Sequence, residues 1–288
     1  MSVRSWLTDL ACDWLPPMLY RSLRSSVGLA HFQLTHQARL LAPSCALAGQ
    51  GTGRRAFVLA TGPSLRRENL AALAGEDCFS LSNFFLHDAL KAIRPRLQFF
   101  APYHRPLVLD NYAAWLHHAD QHLPPETAIV LGHTTAPIVR QYGLFPQRQI
   151  FYLFLTRRHQ PRRIRLDGPI LAPASVPLMA LPTLLAMGYT TIYLLGCDHT
   201  GLRDYGRTVT HFYEARRDVR EHALDRAAWS DIITNHERSL DVFQQYRYYR
   251  TMISRHYPQA RVVNLSQDSW LDLFPFDRLE RVLAAPAT

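Results

Sequence analysis

From Arg54 onward, short and largely apolar runs alternate with stretches of helical spacing, and this alternation constrains the chain more than any other feature. The runs fall at 56–60, 78–81, 97–100, 128–131, 150–154, 191–195 and 261–264. A run that is apolar at every position has no face for water, so it must be covered on both sides. Helical patterns between such runs, clearest at 175–187 and 231–256, supply the cover and the crossovers that parallel pairing needs. The pattern predicts an α/β fold, Rossmann-like and doubly wound around a mostly parallel sheet. With 288 residues and 48% hydrophobic content, the chain can bury such a core.

Residues 1–53 read differently, as an N-terminal helical appendage to a domain spanning 54–288. Within 3–29, Trp6, Leu7, Leu10, Trp14, Leu15 and Met18 mix with Arg4, Arg21 and Arg24, and Pro16-Pro17 divides the stretch. Such a segment suits either a helix lying in a membrane interface or a helix packed on the domain. The run AGQGTG (48–53) reads as a flexible joint. No stretch reaches the 18 apolar residues of a transmembrane span, and Asp9 and Asp13 interrupt anything like a secretory signal. The expected location is the cytoplasm, with peripheral contact to the inner membrane through 3–29.

The formal charge of +9 favours acidic partners. Nucleic acid is not expected among them, because no zinc-finger spacing, stacking motif or helix-turn-helix is present. Cys12, Cys45, Cys78 and Cys197 are scattered, which predicts free thiols and neither a disulfide framework nor a zinc site. The basic stretch 156–167 reads as a loop, either a solvated face or an anion-facing flap.

Three segments carry chemistry. In AFVLATGPSL (56–65) a buried strand runs into Thr61, Gly62, Pro63 and Ser64, at the carboxyl end where open α/β sheets bind ligands. Gly62 permits close approach, Pro63 stiffens the turn and Ser64 can bond a phosphate or ribose oxygen. This is neither a Walker loop nor a dinucleotide fingerprint. In PASVPLMALPTLLAMGYTTIYLLGCD (173–198), Ser175 stands where a helix N-cap belongs and a second strand ends at Gly196-Cys197-Asp198. The loop HTGLRDYGRTVTHFYE (199–214) gathers His199, His211, Tyr205 and Tyr213 with Arg203 and Arg207. Glycosyl transfer needs a base near neutral pH and donors for a departing phosphate, and these residue types supply both. No Asp-x-Asp follows a strand, so neither a metal nor any other cofactor is expected.

The segments LATGPSL (59–65), FSLSNFF (79–85), GYTTIYLLGCD (188–198), THFYE (210–214) and VVNLSQDSWLDLFP (262–275) resemble, in order, the bacterial CMP-sialic-acid-dependent sialyltransferases. They are also similar to a related group that includes the motility accessory factor transferases and the archaeal hydroxymethylpterin pyrophosphokinases. The resemblance spans about 55–283. It implies a lid over CMP, here at about 199–230, and inversion at the anomeric carbon by a histidine base, with tyrosines on the phosphate. It further implies nucleotide contacts at Thr61, Gly62 and Ser64, at Ser82 and Asn83, at Ser175, and at Ser266 and Ser269 beside the cytidine. The family carries asparagine where this chain has Thr61 and Ala101, and the lid is shorter here, which leaves His199 and His211 competing as base.

The expected function is therefore an inverting, metal-independent transferase that moves a sialic-acid-like or Kdo sugar from a CMP donor. The acceptor would be a surface glycan or a lipid-linked one, with Tyr205 and Tyr213 steadying the phosphate. Two rivals stand beside it: a Mg-ATP-dependent pterin-type pyrophosphokinase, and a non-catalytic nucleotide-binding subunit of a glycan assembly complex.

Overall fold

The computed structural model describes residues 30, 32, 34, 37–104, 107–156, 163–204, 211–220 and 231–285. The amphipathic segment 3–29, most of the basic loop, Tyr205 and much of the lid lie outside the described residues. Among the described residues, eight strands form one sheet: β1 (Arg55–Leu59), β2 (Cys78–Leu81), β3 (Leu97–Phe99), β4 (Ala128–Gly132), β5 (Ile150–Thr156), β6 (Pro169–Leu171), β7 (Thr191–Leu195) and β8 (Arg261–Asn264). Their order is β6-β5-β4-β3-β2-β1-β7-β8, and every neighbouring pair is parallel. The fold is α/β, Rossmann-like and doubly wound.

The two-residue period of each strand divides its side chains between two cores. Ala56 and Val58 point to one core with Ile192, Leu194 and Phe79, while Phe57 and Leu59 point to the other with Tyr193, Leu195 and Ile129. Among the described residues seven α-helical segments accompany the sheet: α1 (Ala42–Cys45), α2 (Leu90–Ile93), α3 (Leu109–His122), α4 (Ala136–Tyr142), α5 (Pro177–Ala186), α6 (Ile232–His256) and α7 (Leu279–Ala284). Helices α5 and α6 cover the first core, through Leu178, Leu181, Tyr246 and Tyr249. Helix α3 covers the second with Tyr112, Trp115 and Leu116. Every residue from Pro177 to Leu185 is buried, so α5 is an internal helix. By contrast α6 is capped by Asp231, which accepts from the Thr234 N–H, and only its second half reaches the core.

The structure departs from the sequence reading in two places. The edge strand β6 was not anticipated. It has three residues and opens on Pro169, which an edge tolerates because one side of its backbone is unpaired. The 48–53 segment is docked and is not a free joint: the Gly49 and Gly51 N–H groups donate to Ala186 and Met187 carbonyls at 3.3 and 2.7 Å. A Cβ on Gly51 would lie 2.3 Å from the Tyr189 ring, so the glycine there serves close packing. Upstream of it, Ser44 Oγ donates to the Tyr152 carbonyl at 2.8 Å. Among the described residues no helix is long and apolar enough to cross a membrane.

Strand order places the site. The chain steps outward from β1 to β6, then returns to the other side of β1 as β7 and β8. The β1–β7 pair is thus the topological switch point, where adjacent connections leave in opposite directions and open a crevice. Leu59 is level with Ser80 on one side and Leu195 on the other, so three loops emerge at one rim.

Candidate functional site

The floor of the crevice is built by close backbone contact. The Gly62 N–H donates to the Gly196 carbonyl at 2.9 Å. A Cβ on Gly62 would lie 2.5 Å from that carbonyl and 2.5 Å from Asp198 Oδ2, so no larger residue fits the present arrangement. Gly196 has φ +68°, which favours glycine. The buried Asp198 carboxylate accepts from the Ser64 N–H at 2.9 Å and from Ser64 Oγ at 2.5 Å. Ser64 therefore locks the β1 turn to the β7 turn and does not face the cavity, which corrects its expected place as a nucleotide contact. Ser266 and Ser269 act likewise: Ser266 Oγ accepts from the Cys197 N–H at 3.0 Å, and Ser269 Oγ donates to the Cys197 carbonyl at 2.7 Å. Both hold the β8 loop against the β7 loop.

Backbone strain gathers at the same rim. Two of the four described non-glycine residues with positive φ, Ser82 at +48° and His199 at +50°, line the cavity, directly after β2 and in the β7 loop. Such residues persist where the surroundings over-determine them. For Ser82 the determinant is Gln98, fully buried within β3. Its Nε2 donates to the Ser82 carbonyl at 3.0 Å, and its Oε1 accepts from Ser80 Oγ at 2.7 Å. Sequence reasoning passed over Gln98, although one polar residue inside an apolar strand was a visible signal.

Asn83 was paired with Ser82 as a polar contact, and the structure separates them. The Asn83 side chain is fully buried, accepts from Trp115 Nε1 and donates to the Tyr213 hydroxyl at 2.9 Å. Tyr213 is consequently turned inward, and its hydroxyl reaches Asp218 at 3.4 Å. Burial pushes the phenol's pKa up. Neither Asn83 nor Tyr213 is among the residues that line the cavity, so the structure does not bring Tyr213 together with the expected nucleotide contacts. Ser175 does line it, but α5 begins at Pro177 with Val176 in the cap position. The Ser175 hydroxyl is buried beside Tyr246 without completing a hydrogen bond and caps nothing.

The two histidines differ sharply. His199 Nε2 lies 2.9 Å from the Tyr246 hydroxyl, and burial pulls its pKa down to about 4. It is neutral near pH 7 and too weak a base to hold a proton there. His211 sits on the other wall, its Nδ1 3.3 Å from the Thr61 carbonyl. A hydrogen bond in that direction puts the proton on Nδ1 and the lone pair on Nε2. The ring stacks on Tyr213 at 4.9 Å and 8° between planes. Arg66 donates to the His211 carbonyl at 2.5 Å, and the Phe212 N–H donates to the Thr61 carbonyl at 3.2 Å, strapping this segment to the β1 turn.

Together these loops enclose a cavity of about 360 Å³ whose polar lining comes from Thr61, Ser82, Ser175, Asp198, His199, Thr200, Asp204, His211 and Asn235, with Gly62 and Pro63 beneath. No protein-family model matches the chain, and no curated protein matches it. What the cavity can do must be read from its groups. Hydroxyls and backbone N–H groups at a switch point suit ribose and phosphate oxygens. Among the described residues no arginine lines it, and Arg203 is paired with Asp204 at 2.9 Å. Among the described residues no three His, Cys, Asp or Glu side chains converge as a metal site would require. A histidine with a fixed tautomer at the wall can take a proton from a hydroxyl.

Proposed function

We propose that this cavity binds the nucleotide of a CMP-linked sugar and that the protein transfers the sugar, a sialic-acid-like or Kdo residue, to an acceptor hydroxyl with inversion. The reading rests chiefly on one observation: His211, held by the Thr61 carbonyl, borders a polar cavity at the switch point. In the proposed step His211 Nε2 takes the acceptor hydroxyl's proton as that oxygen bonds to the anomeric carbon. The bond from that carbon to the phosphate oxygen breaks, and CMP leaves with the electron pair. Thr61, Gly62 and Pro63 approach the nucleotide, and the Thr61 and Ser82 hydroxyls bond its oxygens. General-base catalysis contributes roughly 10²–10⁴ in rate.

The test pairs binding with turnover. His211→Ala is expected to lower transfer from a CMP-sugar by at least about a hundredfold while CMP still raises the melting temperature as in the wild type. Transfer should persist in EDTA. Unchanged turnover in the variant rejects His211 as the base, and CMP binding without any transfer by the wild type rejects an enzyme in favour of a nucleotide-binding subunit.

A further inference from the structure

A second cavity adjoins the first and has the opposite chemistry. It measures about 570 Å³ and is walled by Leu202, Ile232, Ile233, Leu240 and Phe243, with Glu237 at its border. Ile232, Ile233 and Leu240 are 52%, 67% and 56% exposed, so one stretch of α6 holds three of the molecule's exposed large apolar side chains. The two cavities share their walls. In the β7 loop Gly201 and Asp204 face the polar cavity while Leu202 faces the apolar one, and at the start of α6 Asn235 faces the former while Ile232 and Ile233 face the latter.

We propose that the apolar groove receives the aliphatic chain of the acceptor, which makes the acceptor a lipid-linked molecule whose reacting hydroxyl reaches the cavity at Asn235 and Asp204. This rests on the transfer reading above. Three observations select this occupant. Continuity with the polar cavity suits an amphiphile with a polar end and an apolar tail. Among the described residues seven line the groove, His236 included, far fewer than the roughly 20–30 a side of a stable protein interface, which argues against a second copy. Between positions 231 and 243 the helix carries Asp231, Glu237 and Asp241 against Arg238 alone, a balance that an anionic bilayer surface would repel. A single uncharged chain escapes both objections.

The test uses the full-length protein and n-alkyl β-glucosides of increasing chain length, held below their micelle concentrations. Binding is followed by methyl NMR of isoleucine and leucine. Each buried methylene is expected to tighten binding about fourfold until the groove is full, with shifts centred on Ile232, Ile233 and Leu240. Ile233→Glu, at an exposed position that folding does not need, should abolish the chain-length dependence while CMP still stabilises the protein. Leu240→Glu should behave the same way. Affinity independent of chain length, or an unaltered dependence in both variants, overturns the proposal. So does a dimer that Ile233→Glu dissociates. Lost alkyl binding with intact CMP transfer strikes the groove alone, whereas alkyl binding by a chain that neither binds nor uses CMP strikes the transfer reading and leaves the groove a lipid site.

Discussion

Replacing Gly62 with alanine tests the packing on which the cavity depends. One methyl group is added, at a residue whose backbone (φ −65°, ψ 155°) any amino acid can adopt, so conformational strain is not the issue. The new carbon would lie 2.5 Å from the Gly196 carbonyl, 2.5 Å from Asp198 Oδ2 and 2.6 Å from Asp198 Cγ. The carbonyl is backbone, and the Asp198 carboxylate is buried and held by Ser64, so neither gives way without loss. Either the β1 turn lifts off β7 or the Asp198 carboxylate swings away from Ser64. Overpacking of this kind costs about 1–3 kcal/mol. Weakening one charge-assisted hydrogen bond to a buried carboxylate adds about 1.5–3 kcal/mol. Together they lower the melting temperature by on the order of 10 °C in a domain of this size. The control is Gly201→Ala in the same cavity wall, where an added Cβ meets nothing within 4 Å and φ is not left-handed. That variant should melt within about 2 °C of the wild type. Thermal denaturation with and without CMP reads both effects, and Gly62→Ala should also lose the ligand-induced rise. If the two alanine variants melt alike, contact between the β1 and β7 turns is not what shapes the floor.

Two further outcomes follow from the walls. Tyr213→Phe keeps the ring under His211 but removes the hydroxyl that Asn83 donates to, so it should cost about 1–3 kcal/mol of stability and leave CMP binding unchanged; weaker CMP binding at unchanged stability would return Tyr213 to the phosphate. Because His199 is held neutral with its pKa at about 4 against an ordinary 6.5, the unfolded chain takes up a proton in that window that the folded chain refuses. Stability is therefore complete above pH 6.5 and falls on acidification, by at most about 3 kcal/mol from this residue. In urea titrations from pH 7 to 4.5, His199→Gln should show the shallower loss, and parallel curves would refute the assignment.

Much of the fold could be read from the chain because parallel strands buried on both faces must be apolar throughout, and such runs stand out. Seven of the strands coincide with predicted runs to within two residues at each end. The eighth strand, β6, is Pro169 before an Ile-Leu pair and was too short to read, since an edge strand needs little more than one neighbour to pair with. Residues 48–53 misled for a related reason. Glycine marks both free chain and close packing, and only the position of Tyr189 decides which applies at Gly51.

The site divides along the same line. Thr61, Gly62, Pro63, Ser82, Ser175, Asp198, His199 and His211 come to one cavity because strand ends and the loops behind them are sequence-local features, and the switch point brings the ends of β1, β2 and β7 level. Which polar atom faces a ligand and which faces the protein is not local. Ser64 is separated from Asp198 by 134 positions and Asn83 from Tyr213 by 130, and those distant partners consume the groups that a strand-end reading would assign to a nucleotide. The His199 and His211 pair shows how much this matters. The two imidazoles sit twelve positions apart in one loop, and nothing in the loop ranks them. Tyr246, far along α6, engages one of them in a buried setting that keeps protons off, while the Thr61 carbonyl holds the other through its Nδ1. On the proposed transfer reading, the base is selected by what lies behind it, so exchanging the two environments should exchange the two roles.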